Sequence, residues 1–292
     1  MSITLCAFIK KENSYIDEWV MHHMNIGVDK FILYDNNDGK EDFPMTELVS
    51  RLVMNKTIHI EYKRNTKLDL HAERMNMYKS CDTDWMMFLD IDEFLVLHKF
   101  DNVNDWLSKD KFKDSHNIIV SIKSFDDNDI LYCVNNHNVR QRFKRICFKS
   151  NRFNHKVKPI IRCNVDFYDI IPNGLVGKNI KTSYCDGKQY NINYIHPRIE
   201  VFDEIEIDAY PTKSLEEYCK IKVGRNKFDI EKINIYKEKY FELNKHTLEK
   251  DKLFNQFIQE TYKNERIDGL HEYALHSYAE FNFGNGKPNN AN

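Results

Sequence analysis

Asp90 and Asp92 stand two residues apart at the end of an apolar run, Trp85-Met-Met-Phe-Leu-Asp-Ile-Asp-Glu-Phe-Leu95. Acidic side chains are costly to bury without a partner. A buried strand that ends in Asp90-Ile91-Asp92-Glu93 is therefore delivering carboxylates to something. Residues i and i+2 of a strand face the same side, so the spacing predicts that Asp90 and Asp92 converge on one divalent cation. Mg²⁺ and Mn²⁺ prefer such oxygen ligands. A cation held by one or two carboxylates keeps coordination sites open for a diphosphate, which suits a nucleotide-sugar donor. The plain alternative is an acidic turn after a strand.

The elements that must position this segment alternate over the first 95 residues. Strands are expected at Ile3 to Ile9, Lys30 to Tyr34, Thr57 to Tyr62 and Trp85 to Leu89, with helices at Ser14 to Ile26, Met45 to Met54 and Leu68 to Ser80. In the first helix Ile16, Trp19, Val20 and His23 share one face, and Gly27 sits where a helix is often closed. Alternation of this kind predicts an α/β fold, a parallel sheet covered by helices. Ligands of such sheets bind at the carboxyl ends of the strands, so the ends at Lys10, Asp35 and Asp90 would line one crevice. Beyond Leu95 we expect a helix at Asn104 to Lys109 and strands at Asn117 to Lys123 and Ile130 to Val134. Ser214-Leu-Glu-Glu217 reads as a capping box opening a helix that runs to about Val223. The chain is charged and aromatic at helical spacing from Asp229 to Tyr262, and a frayed tail is expected from Gly284.

With 292 residues the chain can bury a sizeable core. A net charge of −2 gives no sign of a nucleic-acid partner. The first apolar run is interrupted by Lys10, Lys11 and Glu12, too early for a signal peptide or a membrane span. Seven cysteines without a C-x-x-C pair suit a reducing compartment better than a disulfide scaffold or zinc ribbon. We therefore expect a soluble cytosolic protein. The stretch Arg140 to Lys158 holds eight Lys or Arg and no acid. It could hold a phosphorylated or lipid-linked acceptor, or touch the inner membrane face peripherally. The alternation of Arg140, Arg142 and Lys144 is better read as the solvated face of a strand.

Lys11-Glu12-Asn13, Tyr15-Ile16, Glu18-Trp19-Val20, His22-His23, Gly27-Val28 and Phe31 to Asn36 resemble the opening of a glycosyltransferase group. That group joins the family 2-like bacterial enzymes and family 92. Phe88 to Leu95 is similar to its metal-binding segment. Arg142-Phe143 resembles its mid-chain Arg-Phe pair, and Lys158 to Arg162 its K-x-I-x-R segment. Tyr210-Pro-Thr-Lys-Ser214 with Glu216-Glu217-Tyr218 resembles its Tyr-x-x-Lys-Ser motif and following helix. The matches keep their order over residues 3 to 225.

The resemblance implies a GT-A-type fold, a Rossmann-like mixed sheet flanked by helices, over residues 1–225. A C-terminal helical extension would occupy 226–282 and a disordered tail 283–292. It implies hexosyl transfer from a nucleoside diphosphate, such as UDP, to a glycan or lipid-linked hydroxyl, assisted by Mn²⁺ or Mg²⁺ and inverting the anomeric centre. The setting expected is surface polysaccharide or lipopolysaccharide synthesis. Asp92 would coordinate the metal, and Asp90 the metal or the ribose. Asp35 and Asn36 end the second strand, where base or ribose would be read, and Lys10 and Glu12 would flank the nucleotide. Asn76 precedes the acidic strand on its helix, and Lys213 could pair with a phosphate. His22 and His23 match the group's pair, although helix histidines are more often core or surface residues. An inverting reaction needs a base within reach of the acceptor hydroxyl; Asp126 and Asp127, between two expected strands, and Glu93 are the candidates.

Two departures matter. The group carries His directly before the Tyr of its Tyr-x-x-Lys-Ser motif, and this chain has Ala209, with Asp208 beside it. A glycine- and serine-containing segment is replaced by Phe125-Asp-Asp-Asn-Asp129. Either Asp208 or His196 replaces the missing ligand, or metal binding is weaker, or activity is lost. A catalytically inactive sugar-nucleotide or glycan-binding relative is thus the first alternative. A phosphatase of the haloacid dehalogenase type also opens with a strand and D-x-D, but small residues normally follow, where this chain has Glu93-Phe94.

Overall fold

The computed structural model describes residues 1–37, 45–55, 59–64, 69–133, 138–147, 156–172, 174–190, 201–224 and 230–264. The turn after Asn37, His196 and the expected tail lie outside the described residues. So does the expected break at 225/226.

The described residues form twelve strands: β1 (Ile3–Ile9), β2 (Lys30–Asp35), β3 (His59–Arg64), β4 (Trp85–Phe88), β5 (Glu93–Leu97), β6 (Asn117–Ser124), β7 (Val157–Arg162), β8 (Asp169–Ile171), β9 (Gly174–Val176), β10 (Thr182–Tyr184), β11 (Gln189–Tyr190) and β12 (Ile205–Ala209). The helices are α1 (Ile16–Asn25), α2 (Met45–Asn55), α3 (Leu70–Lys79), α4 (Val103–Leu107), α5 (Val139–Arg142), α6 (Leu215–Tyr218), α7 (Ile230–Leu243) and α8 (Leu248–Asn264). No helix among the described residues is long and apolar enough to cross a membrane.

The main sheet runs β11-β10-β6-β7-β4-β1-β2-β3, with β12 pairing β6 and β5. The pairs β1–β2, β1–β4 and β2–β3 are parallel, whereas β4–β7, β6–β7 and β5–β12 are antiparallel. This is the mixed sheet flanked by helices, with helices in the C-terminal part, that the resemblance implied. Strand β1 is apolar almost throughout and buried almost throughout, as a central parallel strand covered on both faces must be. Gly27 closes α1 with φ +90°, and a Cβ there would lie 2.4 Å from the amide nitrogen of Asn102. Asn102 is itself the N-cap of α4, so the glycine is required both by its φ and by its neighbour.

The chain divides into two compact units. The first holds Met1–Phe125, Asn138–Gln141 and Ile146–Pro211, and the second holds the described parts of Asp126–His137, Arg142–Arg145 and Thr212–Asn292. One core cluster of the first unit joins Cys6, Ile32 and Met86 of the sheet to Met77 and Tyr78 of α3. That of the second joins Leu215, Tyr218, Ile233, Tyr240, Phe254 and Ile258. Each large side chain buried in these clusters contributes about 1.5–3 kcal/mol relative to exposure.

Two expectations fail for local reasons. Residues 130–133 form no strand; the carbonyls of Ile130 and Leu131 instead accept the N–H groups of Leu215 and Glu216 at the start of α6. These are donors that the first turn of a helix leaves unpaired. The Ser214–Glu217 capping box forms as expected. The supposed strand face of Arg140 and Arg142 is α5, and both side chains are engaged. Arg140 Nη1 lies 2.7 Å from His22 Nδ1, and Arg142 forms a two-pronged pair with Glu217, both bonds 2.7 Å.

Candidate functional site

Parallel strands β1, β2 and β4 end side by side. Ile9 is level with Asp35, Cys6 with Phe88, and the N–H of Leu89 reaches Cys6 O at 3.0 Å. The carboxyl ends expected to line a crevice are thus neighbours in the sheet.

The end of β2 is knitted to the segment after β1 through a residue that sequence reasoning missed. Asn37 is buried. Its amide Nδ2 donates to Asp35 Oδ1 (2.7 Å) and to Asn13 Oδ1 (2.9 Å), and its Oδ1 accepts the N–H of Lys11 at 2.6 Å. Lys11 sits at φ 56°, a left-handed conformation that costs a non-glycine residue energy and persists when its surroundings enforce it. Asp35 and Glu12 are buried, whereas Asn36 and Lys10 are half-buried. Asp35 and Asn36 do end β2 at its carboxyl edge; the polar hub there is Asn37, the residue directly after them.

The acidic segment does not have the strand geometry assumed for it. Strand β4 stops at Phe88, and residues 91 and 92 are a turn, closed by the bond from Glu93 N to Asp90 O (3.0 Å). Asp90 and Asp92 therefore do not alternate as strand residues do. The Asp90 side chain is 62 % exposed, while Asp92 is 4 % exposed. Glu93 folds back so that its Oε2 accepts the N–H of Asp90 at 2.9 Å. Its main-chain carbonyl takes the Trp19 indole N–H at 2.8 Å, which fixes the turn to α1.

Lys158, the first residue of the K-x-I-x-R segment, reaches this turn from β7. Its Nζ lies 3.2 Å from Asp90 Oδ2 and in close contact with Glu93 Oε2. Burial alone would lower the Lys158 ammonium, but the Asp90 and Glu93 carboxylates outweigh it and raise it above the usual lysine range. Burial pushes the Glu93 carboxyl up to about 7, aided by the negative charges of Asp90 and Asp92 and opposed by Lys158. A second unforeseen cation is Arg74 of α3, whose guanidinium stands 5.9 Å and 5.8 Å from the ring centres of Phe8 and Phe88, within cation–π range. Asn76, the residue expected on this helix, is exposed, and two residues further on it lies on the far side of α3 from Arg74.

The turn gathers the carboxylates of Asp90, Asp92 and Glu93, of which Asp90 and Glu93 pair with Lys158; carboxylate oxygens are the donors a hard cation prefers. Among the described residues, no three His, Cys, Asp or Glu side chains already stand in a coordinating group. The exposed Asp90 carboxylate could contribute to a cation completed by ligand oxygens, not to one in a closed protein cage.

Asp208 does not replace the missing histidine. In the β5–β12 register Ala209 pairs with Glu93 and Asp208 with Phe94. Successive strand residues face opposite sides, so Asp208 points away from the face that residue 209 presents. Its neighbours there are Glu206 on the same face of β12, Lys123, Arg140 and Tyr210. Asp208 is 8 % exposed, and its Oδ1 is buried without a hydrogen-bond partner. Burial, then the Glu206 carboxylate, pushes it up to about 7 against Lys123 and Arg140. His22 and His23 line this same face as structural groups. His22 Nε2 is 2.7 Å from Leu95 O, and His23 Nε2 accepts the Leu95 N–H at 3.0 Å. Burial, then Arg140, holds His22 down at about 4, so its ring is neutral and accepts from Arg140.

Two expected bases belong to a different network, in the second unit. Asp127 is fully buried and accepts Lys250 Nζ (2.6 Å) and Tyr240 Oη (2.5 Å) on Oδ2 and the Asp129 N–H (2.9 Å) on Oδ1. Asp126 accepts Arg145 Nε at 2.6 Å and the Asn128 N–H at 2.8 Å. Hydrogen bonds from Arg145 and Lys250 hold Asp129 well below the usual carboxylate range. These carboxylates are consumed in holding α7, α8 and the 126–129 segment together, and the base role expected of them is corrected on that ground. Glu93 is likewise committed to Lys158 and to the Asp90 N–H, which makes it a positioning residue. Lys213 is buried in the second unit at φ 55°, directly before the Ser214 cap of α6.

Comparison with known proteins agrees with the ordered motifs. The chain matches the sequence profile of Glycosyltransferase family 92 over residues 2–265, from β1 through α8. A family 92 protein of Oryza sativa subsp. japonica is 31% identical over 96 residues, covering 32% of this chain and 16% of that protein. One of Ricinus communis is 26% identical over 102 residues, covering 35% and 18%. The aligned segment thus spans about a sixth of those relatives' length. Among solved structures, S. aureus TarS 1–349 in complex with UDP-GlcNAc is similar at TM-score 0.39 and 10% identity, over 96% of this chain and 80% of that one. The profile match covers nearly the whole chain, and the protein belongs to glycosyltransferase family 92.

Proposed function

We propose that this chain transfers a sugar from a nucleoside-diphosphate donor to an acceptor hydroxyl, with the donor seated over the carboxyl ends of β1, β2 and β4. The observation that carries the reading is the exposed carboxylate of Asp90 at the end of a parallel strand, in a family 92 chain. Asp35 and Asn36, held at the end of β2 by Asn37, would meet the nucleoside, beside Lys10 and Glu12. Asp90 and Asp92 would hold Mn²⁺ or Mg²⁺, which supplies Lewis-acid neutralisation of charge on a leaving diphosphate. Glu93 fixes the turn by accepting the Asp90 N–H, and Lys158 restrains the Asp90 carboxylate. Arg74 adds positive charge over Phe8 and Phe88, where an anionic donor would lie.

UDP as the nucleotide, inversion at the anomeric carbon, a glycan or lipid-linked acceptor, and a cytoplasmic location at the inner membrane face complete the reading. The first three come from the family resemblance, and the location from the N-terminal run, the cysteine usage and the basic stretch 140–158. The phosphatase alternative is set aside because the family match covers the chain. The inactive relative stays as second reading, favoured by Ala209 at the position of a ligand. The test is incubation with UDP-, GDP- and CMP-sugars with Mn²⁺ or EDTA, reading nucleotide release. Metal-dependent release supports transfer. Binding of UDP–Mn²⁺ without release, over a range of glycan acceptors, supports the inactive relative. Neither binding nor release refutes both.

A further inference from the structure

Seven cysteines lie in this chain, and two of them meet. Cys81 follows α3 and leads into β4, and Cys163 directly follows β7. Their sulfurs are 3.2 Å apart, with Cys163 Sγ donating to Cys81 Sγ. Strands β4 and β7 are antiparallel partners, with Trp85 level with Arg162. The backbone is tied there as well, Cys163 N donating to Asp84 O at 2.9 Å. Both thiols are buried, in a cluster that also holds Cys6.

The environment treats the two sulfurs unequally. Cys81 Sγ lies 3.1 Å from Thr83 Oγ1 and 3.7 Å from Thr4 Oγ1, and those two hydroxyls are themselves 2.8 Å apart. Cys81 therefore has three polar neighbours inside an apolar core. The hydrogen bond from Cys163 foremost, with the contacts to the Thr83 and Thr4 hydroxyls, holds the Cys81 thiol down at about 6 despite burial. The same bond, then burial, pushes Cys163 above the usual thiol range. One sulfur is thus disposed to be the thiolate and the other to keep its proton, the division of labour between an attacking and a resolving cysteine.

We propose that Cys81 and Cys163 form an oxidisable dithiol, a modification site for small peroxides that closes to a disulfide stapling the Cys81–Asp84 segment to the end of β7. The Cys81 thiolate attacks one peroxide oxygen and the O–O bond breaks. The departing hydroxide takes a proton and leaves as water, and Cys81 becomes a sulfenic acid. The Cys163 sulfur then attacks the Cys81 sulfur, and the sulfenic hydroxyl leaves with the Cys163 proton as a second water. Two thiols are oxidised and one peroxide is reduced. The sulfurs must approach by about 1.2 Å to reach the disulfide bond length. The link would close a sequence separation of 82 residues, a long loop whose closure restricts the unfolded chain strongly.

The staple lies at one end of the β4–β7 ladder, and Asp90 and Lys158 lie at the other. It is therefore expected to act on stability and to leave donor binding in place.

The test uses the full chain, treated with graded hydrogen peroxide, alkylated, digested and analysed by mass spectrometry. The expected result is a linked Cys81–Cys163 peptide as the main product, reversed by dithiothreitol, with a melting temperature raised by roughly 5 °C. Cys163→Ser should lose the link and leave Cys81 at the sulfenic or sulfinic stage. Should that variant fold poorly, Cys163→Ala serves the same end. Oxidation confined to the half-buried Cys133, a link from Cys6 to either partner, or no link at peroxide excess would overturn the proposal.

Discussion

Two acidic runs in this chain look alike in sequence and differ in what surrounds them. Asp90-Ile-Asp-Glu93 ends a parallel strand, and the Lys158 ammonium pairs with Asp90 and Glu93. Asp126-Asp-Asn-Asp129 is matched by Arg145 and Lys250, with the Tyr240 hydroxyl added. The first run keeps one carboxylate, Asp90, largely in water. In the second, Asp126 and Asp127 are buried and tied to Arg145, Lys250 and the Tyr240 hydroxyl as a structural knot. An acidic run becomes a candidate site through the carboxylate it leaves in water, and the cations that claim the others come from far along the chain. Lys158 is 65 residues from Glu93, and Lys250 is 123 from Asp127.

The largest effect that can break this contrast is expected at Asp127. Replacement by Ala leaves the buried Lys250 ammonium with the half-exposed Asp129 alone and strips the Tyr240 hydroxyl of its acceptor, a loss of about 3 kcal/mol for a buried pair. Denaturant unfolding measures it, and a loss below about 1 kcal/mol would remove the claim that the second run is structural. Next comes Lys158→Met, which strands Glu93. A loss of about 2–3 kcal/mol is expected at pH 8, where Glu93 must carry charge in a buried place. The loss should shrink at pH 5, where the carboxyl takes up a proton.

Asp208→Asn should have a smaller effect of opposite sign. The folded Asp208 carboxyl is raised to about 7 from an ordinary 3.8. A raised carboxyl contributes stability that is intact below the unfolded value and lost as pH rises through the folded one. The wild type should therefore lose stability between about pH 4 and 7 through this group. The variant should escape that loss and be the more stable by about 1–2 kcal/mol at pH 8, with little difference at pH 4. Equal pH profiles would contradict the buried, partnerless Oδ1. The smallest stability effect belongs to Asp90→Ala, within about 1 kcal/mol, because that side chain is largely in water.

Much of the first half of the fold was legible in sequence. Strands β1, β2 and β4 announce themselves as apolar runs, and helices α1 and α2 as amphipathic segments; β3 and α3 follow from the alternation of the elements around them. Strands β8 to β11 are only two or three residues long, and β5, β7 and β12 carry polar residues paired with distant partners, so no local period marks them. Residues 130–133 mislead because an apolar run looks like a strand whether its carbonyls meet another strand or the first turn of a helix. At the site, Asp90, Asp92, Asp35 and Asn36 were legible from position at strand ends. Lys158, Arg74 and Asn37 were not, since which distant residue meets a turn depends on sheet order, which periodicity does not contain. Asp208 was misread because adjacency to residue 209 in sequence means opposition across the strand in space.

Calorimetric titration of UDP with Mn²⁺ into the wild type, Asp90→Asn and Asp126→Asn puts the central contrast to one measurement. The account predicts binding to the wild type and to Asp126→Asn, weakened at least about tenfold in Asp90→Asn, a change of about 1.4 kcal/mol. Undiminished binding in Asp90→Asn, or equal losses in both variants, would contradict it.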